Sequence, residues 1–171
     1  MKKFLVLFLI FPVLLLSSCR GLFMVNSIDT DPEKMVEKII DSIEKSDQDA
    51  LKKLFAKNAL KEIDDFETKA QELFSYYDGE YLEYEDMGTM DDISRIDGYV
   101  EIFYHSSCDI TTTKGVFRIA TKAVTKDSKD KDNVGLWSIY ILEKEKDWRP
   151  ENSYRGDLLY NTGIFVDFPR P

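Results

Sequence analysis

The chain has 171 residues, a formal net charge of −9 and an apolar content of 43%. This length allows one domain plus an export segment, and the apolar content is sufficient for a buried core. The acidic excess argues against binding to nucleic acid, because phosphate recognition depends on clustered Lys and Arg. It also argues against attraction of the folded part to anionic lipid headgroups.

The first 18 residues have the layout of a secretory signal. Lys2 and Lys3 provide a positive start, and residues 4–16 form a mostly apolar run. That run is shorter than the roughly 20 residues that a membrane-spanning helix needs. Two serines follow the run and precede Cys19. We therefore predict that residues 1–18 are a signal peptide.

The stretch Leu16-Ser17-Ser18-Cys19 resembles the lipobox of bacterial lipoproteins, which is an apolar residue, two small residues and a cysteine. The resemblance implies cleavage before Cys19 and attachment of diacylglycerol to its thiol. The protein would then be extracytoplasmic and anchored to a cell membrane or an outer membrane, because two acyl chains give stable anchoring. Residues 19–30 would form a lipidated tether. The alternative is an ordinary cleaved signal followed by a chance cysteine.

The folded domain is expected at residues 31–145, beginning with helices. Asp31 can cap a helix whose first turn contains Pro32. Apolar residues at helical spacing continue that helix: Met35, Val36, Ile39, Ile40 and Ile43. A shorter helix follows near residues 51–55, and Leu60 and Ile63 after it belong to a turn or an extra helical turn. Asp64 or Asp65 caps a third helix, which Asp78-Gly79 ends.

After Gly79 the apolar pattern changes to the alternation typical of strands. The predicted strands are residues 80–86, 98–110, 114–124 and 134–144, and the first is acidic, as an edge strand often is. The acidic residues between the first two strands are expected to form a loop: Asp86, Asp91, Asp92 and Asp97. Residues 146–171 are interpreted as a packed tail with one short edge strand. Helices followed by an antiparallel meander define an α+β fold.

The segment "MVEKIIDSIEKSDQDALKKLFA" (35–56), followed by a predicted antiparallel sheet, is similar to the nuclear-transport-factor-two-like proteins, whose cone is also described as cystatin-like. The resemblance implies N-terminal helices packed in the hollow of a curved sheet. With the lipobox, "NVGLWSIYI" (133–141) resembles a group of uncharacterised bacterial lipoproteins that have this fold. That superfamily contains enzymes, ligand carriers and interaction domains, so the fold alone does not select a function.

His105 and Cys108 are the first candidates for chemistry. Zinc sites usually have four protein ligands, and beyond Cys19 the mature chain offers no further Cys or His. Residues 105 and 108 would also point to opposite faces of a strand. If Tyr104 faces the core, His105 points away from the cone. We therefore expect no metal, no cofactor and no assigned catalytic residue.

Aromatic side chains with polar tips suit the mouth of a binding pocket, although they equally suit the half-buried edge of a core. Tyr99 and Phe103, if exposed, could form a homodimer contact on the outer sheet face. The candidate pocket residues are Tyr77, Tyr84, Tyr104, Arg118 and Trp137.

The leading hypothesis is a membrane-anchored, non-catalytic domain that binds a small ligand or a neighbouring envelope protein. One alternative is an enzyme that acts on small polar substrates in the cone pocket. Another is a structural or assembly factor of the cell envelope.

Overall fold

The computed structural model describes residues 31–146 and 161–167. The predicted signal peptide, Cys19 and tether lie outside these residues, as does most of the C-terminal tail. Within them, the chain forms α1 (Pro32–Glu44), α2 (Gln48–Leu54), α3 (Lys57–Glu62), α4 (Phe66–Tyr76), β1 (Tyr81–Ile96), β2 (Tyr99–Thr112), β3 (Val116–Asp127), β4 (Gly135–Glu143) and β5 (Gly163–Val166). No helix in this part of the chain is long and apolar enough to cross a membrane.

Aspartate side chains cap three of the helices. The carboxylate of Asp31 accepts a hydrogen bond from the backbone N–H of Glu33 at 3.2 Å, which confirms the predicted start of α1. Asp47 caps α2 in the same way. Of the two residues proposed to cap α4, Asp65 does so. Each cap satisfies a backbone donor that the first helical turn leaves without an intrahelical partner.

The five strands form one open, curved sheet in the order β1-β2-β3-β4-β5. The pairs β1–β2, β2–β3 and β3–β4 are antiparallel, and β5 pairs parallel to β4. The short edge strand expected in the tail is therefore present. The α+β fold class is confirmed, with N-terminal helices followed by a mainly antiparallel sheet.

The expected loop after residue 86 is wrong, because β1 continues to Ile96. Its second half pairs regularly with β2, from Gly88 opposite Ser107 to Ile96 opposite Tyr99. Asp97 and Gly98 close this hairpin, and both have positive φ angles, 51° and 83°. Two such residues form the tight turn whose twist matches that of paired strands. Pairing and turn geometry thus override the polar character of the sequence.

The helices cover one face of the sheet, called here the helix face. Fully or almost fully buried residues of both layers form its core: Met35, Ile39, Leu51, Leu73, Tyr104, Cys108, Ile110, Ile119, Ile139 and Ile141. The other face is called the back face, and it carries the alternate residues of the same strands. Ala120 and Tyr140 are buried there, and the Tyr140 ring stacks on Phe165 at 4.5 Å.

Gly135 brings the start of β4 against the junction between α2 and α3. Its φ is +134°, and a Cβ at this position would lie 2.7 Å from the backbone nitrogen of Ala56. That nitrogen donates a hydrogen bond to the carbonyl of Leu136 at 2.9 Å. Only glycine combines this backbone conformation with such a close approach. The contact fixes the helices over the sheet.

Candidate functional site

The structure does not bring the five predicted pocket residues into one cavity. Tyr77, Tyr84, Tyr104 and Trp137 lie on the helix face, where they belong to the core or pack against it. Tyr77 packs on Phe117 with ring centres 5.2 Å apart. The Trp137 indole N–H donates to the carbonyl of Asn133 at 2.8 Å. These contacts stabilise the core, and Arg118 lies on the back face.

Tyr104 is fully buried, and among the described residues its hydroxyl has no hydrogen-bond partner. Burial raises the pKa of this hydroxyl well above its usual value, and the carboxylates of Asp31 and Asp91 raise it further. The phenol therefore stays protonated at neutral pH. Its place is in the packed core.

Tyr84 borders a cleft of about 250 Å³ that is partly open to solvent, between the first turn of α1 and strands β1 and β2. Cys108 also borders it but is only 1% exposed. Burial raises the pKa of this thiol to about 12, with contributions from Asp109 and Asp86. Because the thiolate is the reactive form, Cys108 is chemically inert at neutral pH.

Arg118 forms a buried ion pair with Asp109 across β2 and β3. Its Nε and Nη2 atoms donate to the two carboxylate oxygens at 2.6 and 2.9 Å, and Lys144 Nζ lies 2.7 Å from the same carboxylate. Burial alone would raise the Asp109 pKa, but these hydrogen bonds and charges outweigh it and lower the pKa below 3.8. The buried Asp109 carboxylate is therefore well supplied with hydrogen-bond donors.

His105 lies on the back face, as expected once Tyr104 faces the core. Its ring packs edge-on against Phe103 at 5.6 Å. Burial and, to a lesser extent, the charge of Lys122 lower the His105 pKa to about 4, against an opposing effect of Asp92. Across residues 31–146 and 161–167, no three His, Cys, Asp or Glu side chains are grouped to hold a metal ion.

The aromatic residues expected at a homodimer contact are half-buried and accompanied by cations. The Lys129 ammonium lies 5.8 Å from the centre of the Tyr99 ring. Lys122 lies equally far from the Phe103 ring. Such contacts place charge over the aromatic faces. A homodimer through this surface stays a prediction.

The exposed apolar surface lies elsewhere, on β1. Among the described residues, every large apolar side chain classed as exposed belongs to this strand, with exposed fractions between 37% and 58%. The five residues define what we call the β1 surface: Tyr81, Leu82, Met90, Ile93 and Ile96. The predicted strands did not include most of this surface, because half of β1 was expected to be a loop. The dipeptide Asp97-Gly98, a strong hairpin signal, could have revealed it.

The β1 surface is also acidic. The strand carries five carboxylates and one guanidinium, Arg95, which gives it a net charge of −4. A strand at the edge of a sheet that combines exposed apolar groups with charge of one sign is suited to contact with a polypeptide of opposite charge.

These features define an α+β domain whose helices cover one face of an open sheet and whose first strand forms an exposed, acidic edge. Residues 38–144 match the family described as "Domain of unknown function (DUF5104)", and the chain belongs to that family. The match runs from α1 through β4 and therefore includes the whole β1 surface. A comparison with curated proteins found no match.

Proposed function

We propose that this protein is a lipid-anchored, extracytoplasmic, non-catalytic domain that binds a neighbouring protein of the bacterial envelope through its β1 surface. The observation that carries the proposal is the concentration of exposed large apolar side chains on one strand. Apolar groups scattered singly over a surface need no explanation, but a long, unpaired edge strand with several exposed apolar side chains is a ready template for pairing with another chain.

A protein partner is favoured over a small ligand because the cleft beside Tyr84 is not enclosed. Its volume of about 250 Å³ includes space open to solvent, whereas small-molecule sites bury most of the surface of their ligand. No observation favours the enzyme alternative, since His105 and Tyr104 lie on opposite faces of the sheet. The assembly-factor alternative remains compatible with a protein-binding surface.

The fold itself supports a finer proposal. Helices α1, α2 and α4 pack over one face of an open, curved sheet, and helices packed on a curved sheet are also found in nuclear-transport-factor-two-like cones. We propose that the domain is such a cone, with a core that is filled by side chains of both layers.

The anchor is proposed from the lipobox at residues 16–19. It is tested by growing cells with a traceable fatty acid and isolating the protein. The wild-type chain and Cys108→Ala should be labelled and remain in the membrane fraction, whereas Cys19→Ala should be unlabelled and leave it. Label or membrane retention in Cys19→Ala would contradict the anchor. Cys108→Ala is the matched control because it removes the chain's other thiol.

Binding through β1 is tested by the size of the native complex solubilised from membranes with a mild detergent. The double variant Ile93→Ser/Ile96→Ser should lose the partner and migrate as a smaller species. Lys53→Ser, an exposed change on α2, should migrate like the wild type. A complex of unchanged size in the double variant would contradict the proposal.

A further inference from the structure

We propose that β1 binds its partner by strand addition, and that the partner contributes an extended segment rich in Lys or Arg. This inference rests on the proposed function and specifies the chemistry of the same surface. Strand addition means that the segment pairs with the outer edge of β1 through main-chain hydrogen bonds and extends the sheet by one strand.

The position of β1 supports main-chain pairing. β2 pairs with one side of β1, and within residues 31–146 and 161–167 no strand pairs with the other side. From Gly88 to Ile96 the register is unbroken, and the run contains neither Pro nor Lys. Proteins usually protect long edges with such residues or with bulges. Here the register shifts are confined to the part of β1 before Gly88.

The hairpin turn fixes which residues face outward. In a two-residue hairpin, the pair that flanks the turn exchanges both main-chain hydrogen bonds, so Ile96 faces Tyr99 in this way. Because successive residues of a strand direct their backbone groups to opposite sides, every second residue before Ile96 points its N–H and C=O groups away from β2: Thr89, Asp91, Ile93 and Arg95. These four residues present the donors and acceptors that an added strand would use.

Charge decides the chemistry of the partner. Antiparallel addition of a second copy of β1 would bring two strands of net charge −4 against each other, and like charges opposite one another destabilise a sheet. A segment that carries Lys or Arg would instead neutralise Asp91 and Asp92. Apolar residues in the same segment would cover Ile93 and Ile96, which are 49% and 54% exposed.

The test uses the full chain in non-ionic detergent and a fluorescently labelled peptide that spans Gly88–Ile96, in which pairs of Val alternate with pairs of Lys so that each face of the strand carries both. Fluorescence anisotropy should detect binding that weakens with added salt. The same peptide with Glu in place of Lys should not bind. Equal binding of the Glu peptide would overturn the cationic partner.

Two substitutions at Arg95 separate main-chain pairing from charge. Arg95→Pro removes an outward N–H, which an edge strand tolerates in its own fold. It should weaken binding by about fivefold or more, the equivalent of one lost hydrogen bond. Arg95→Ala keeps the N–H and removes a cation, so binding should be unchanged or tighter. Circular dichroism and thermal unfolding show whether Arg95→Pro keeps the native fold, and Thr89→Pro provides a second position.

Each outcome is decisive. Equal binding by folded Arg95→Pro, Thr89→Pro and Arg95→Ala would overturn strand addition, yet partner loss in Ile93→Ser/Ile96→Ser would still uphold the proposed function. Concentration-dependent dimers of the wild type that disappear in Arg95→Pro would identify a second copy as the occupant and overturn the cationic partner. A native complex that survives Ile93→Ser/Ile96→Ser overturns the proposed function itself.

Discussion

The carboxylate of Asp109 and the guanidinium of Arg118 form a two-pronged ion pair on the back face of the sheet, at 2.6 and 2.9 Å. Both side chains are at least 95% buried, and Lys144 reaches the same carboxylate from a half-exposed position. Asp109 on β2 and Arg118 on β3 lie directly opposite each other in the register of the two strands. Arg118 therefore has a buried structural partner within the sheet.

Removing Arg118 should be strongly destabilising. Arg118→Met leaves the Asp109 carboxylate buried with only Lys144 as a cationic partner, and breaking a buried pair in this way costs about 3–5 kcal/mol. Urea unfolding measures the change in the free energy of unfolding. Lys144→Met, which removes a half-exposed partner, should cost about 1 kcal/mol or less. Equal losses in the two variants would contradict this account of the pair.

His105 should make stability depend on pH. The pKa of its imidazole is about 4 in the folded protein, against an ordinary value of 6.5. Between these values the unfolded chain binds a proton that the folded chain does not, so stability rises with pH. The contribution is fully present above the ordinary value and is lost as pH falls towards 4.

Because His105 is the chain's single histidine, its imidazole can be followed directly by NMR. Its signals should titrate well below the ordinary value. His105→Gln should remove the corresponding part of the pH dependence measured by urea unfolding. An imidazole that titrates near 6.5 would show that burial and Lys122 do not control this group.

Gly135 should not tolerate a side chain. Gly135→Ala would force a Cβ within 2.7 Å of the Ala56 nitrogen at a φ of +134°. We expect a loss of about 1–3 kcal/mol in the free energy of unfolding. Gly115→Ala is the matched control, since a Cβ there meets no atom within 4 Å. A loss in Gly135→Ala no greater than in the control would mean that this contact is dispensable.

Tyr104 should act through packing and not through its hydroxyl. Burying that hydroxyl without a partner among the described residues is unfavourable, so Tyr104→Phe should leave stability unchanged or raise it by about 1 kcal/mol. Thermal unfolding measures this effect. Tyr104→Ala, which removes the ring, should lose about 3–5 kcal/mol. Marked destabilisation by Tyr104→Phe would show that the hydroxyl has an essential partner.

The helices and the central strands could be predicted from the sequence because burial there leaves a clear pattern. Asp31 and Pro32 mark the start of α1, and apolar residues recur along its buried side. Likewise Phe117 and Ile119 alternate with Arg118 along β3. In each case the residue pattern and the burial that explains it belong to the same helix or strand.

The β1 surface could not be predicted in the same way. The part of β1 after Asp86 is mostly exposed on both faces, so no alternation of apolar and polar side chains marks it as a strand. Its conformation comes from pairing with β2, which is a relationship between segments. The Asp109–Arg118 pair is also set by register, and neither residue reveals the other in the sequence.

Binding through β1 is tested most directly by photo-crosslinking in living cells from a reactive amino acid placed at Ile93. We predict a discrete adduct with another envelope protein that is lost in Arg95→Pro and retained in Arg95→Ala. The same reactive group at Lys53 should give no such adduct. An adduct that forms equally at both positions, or no adduct at Ile93, would contradict the claim that β1 is the binding surface.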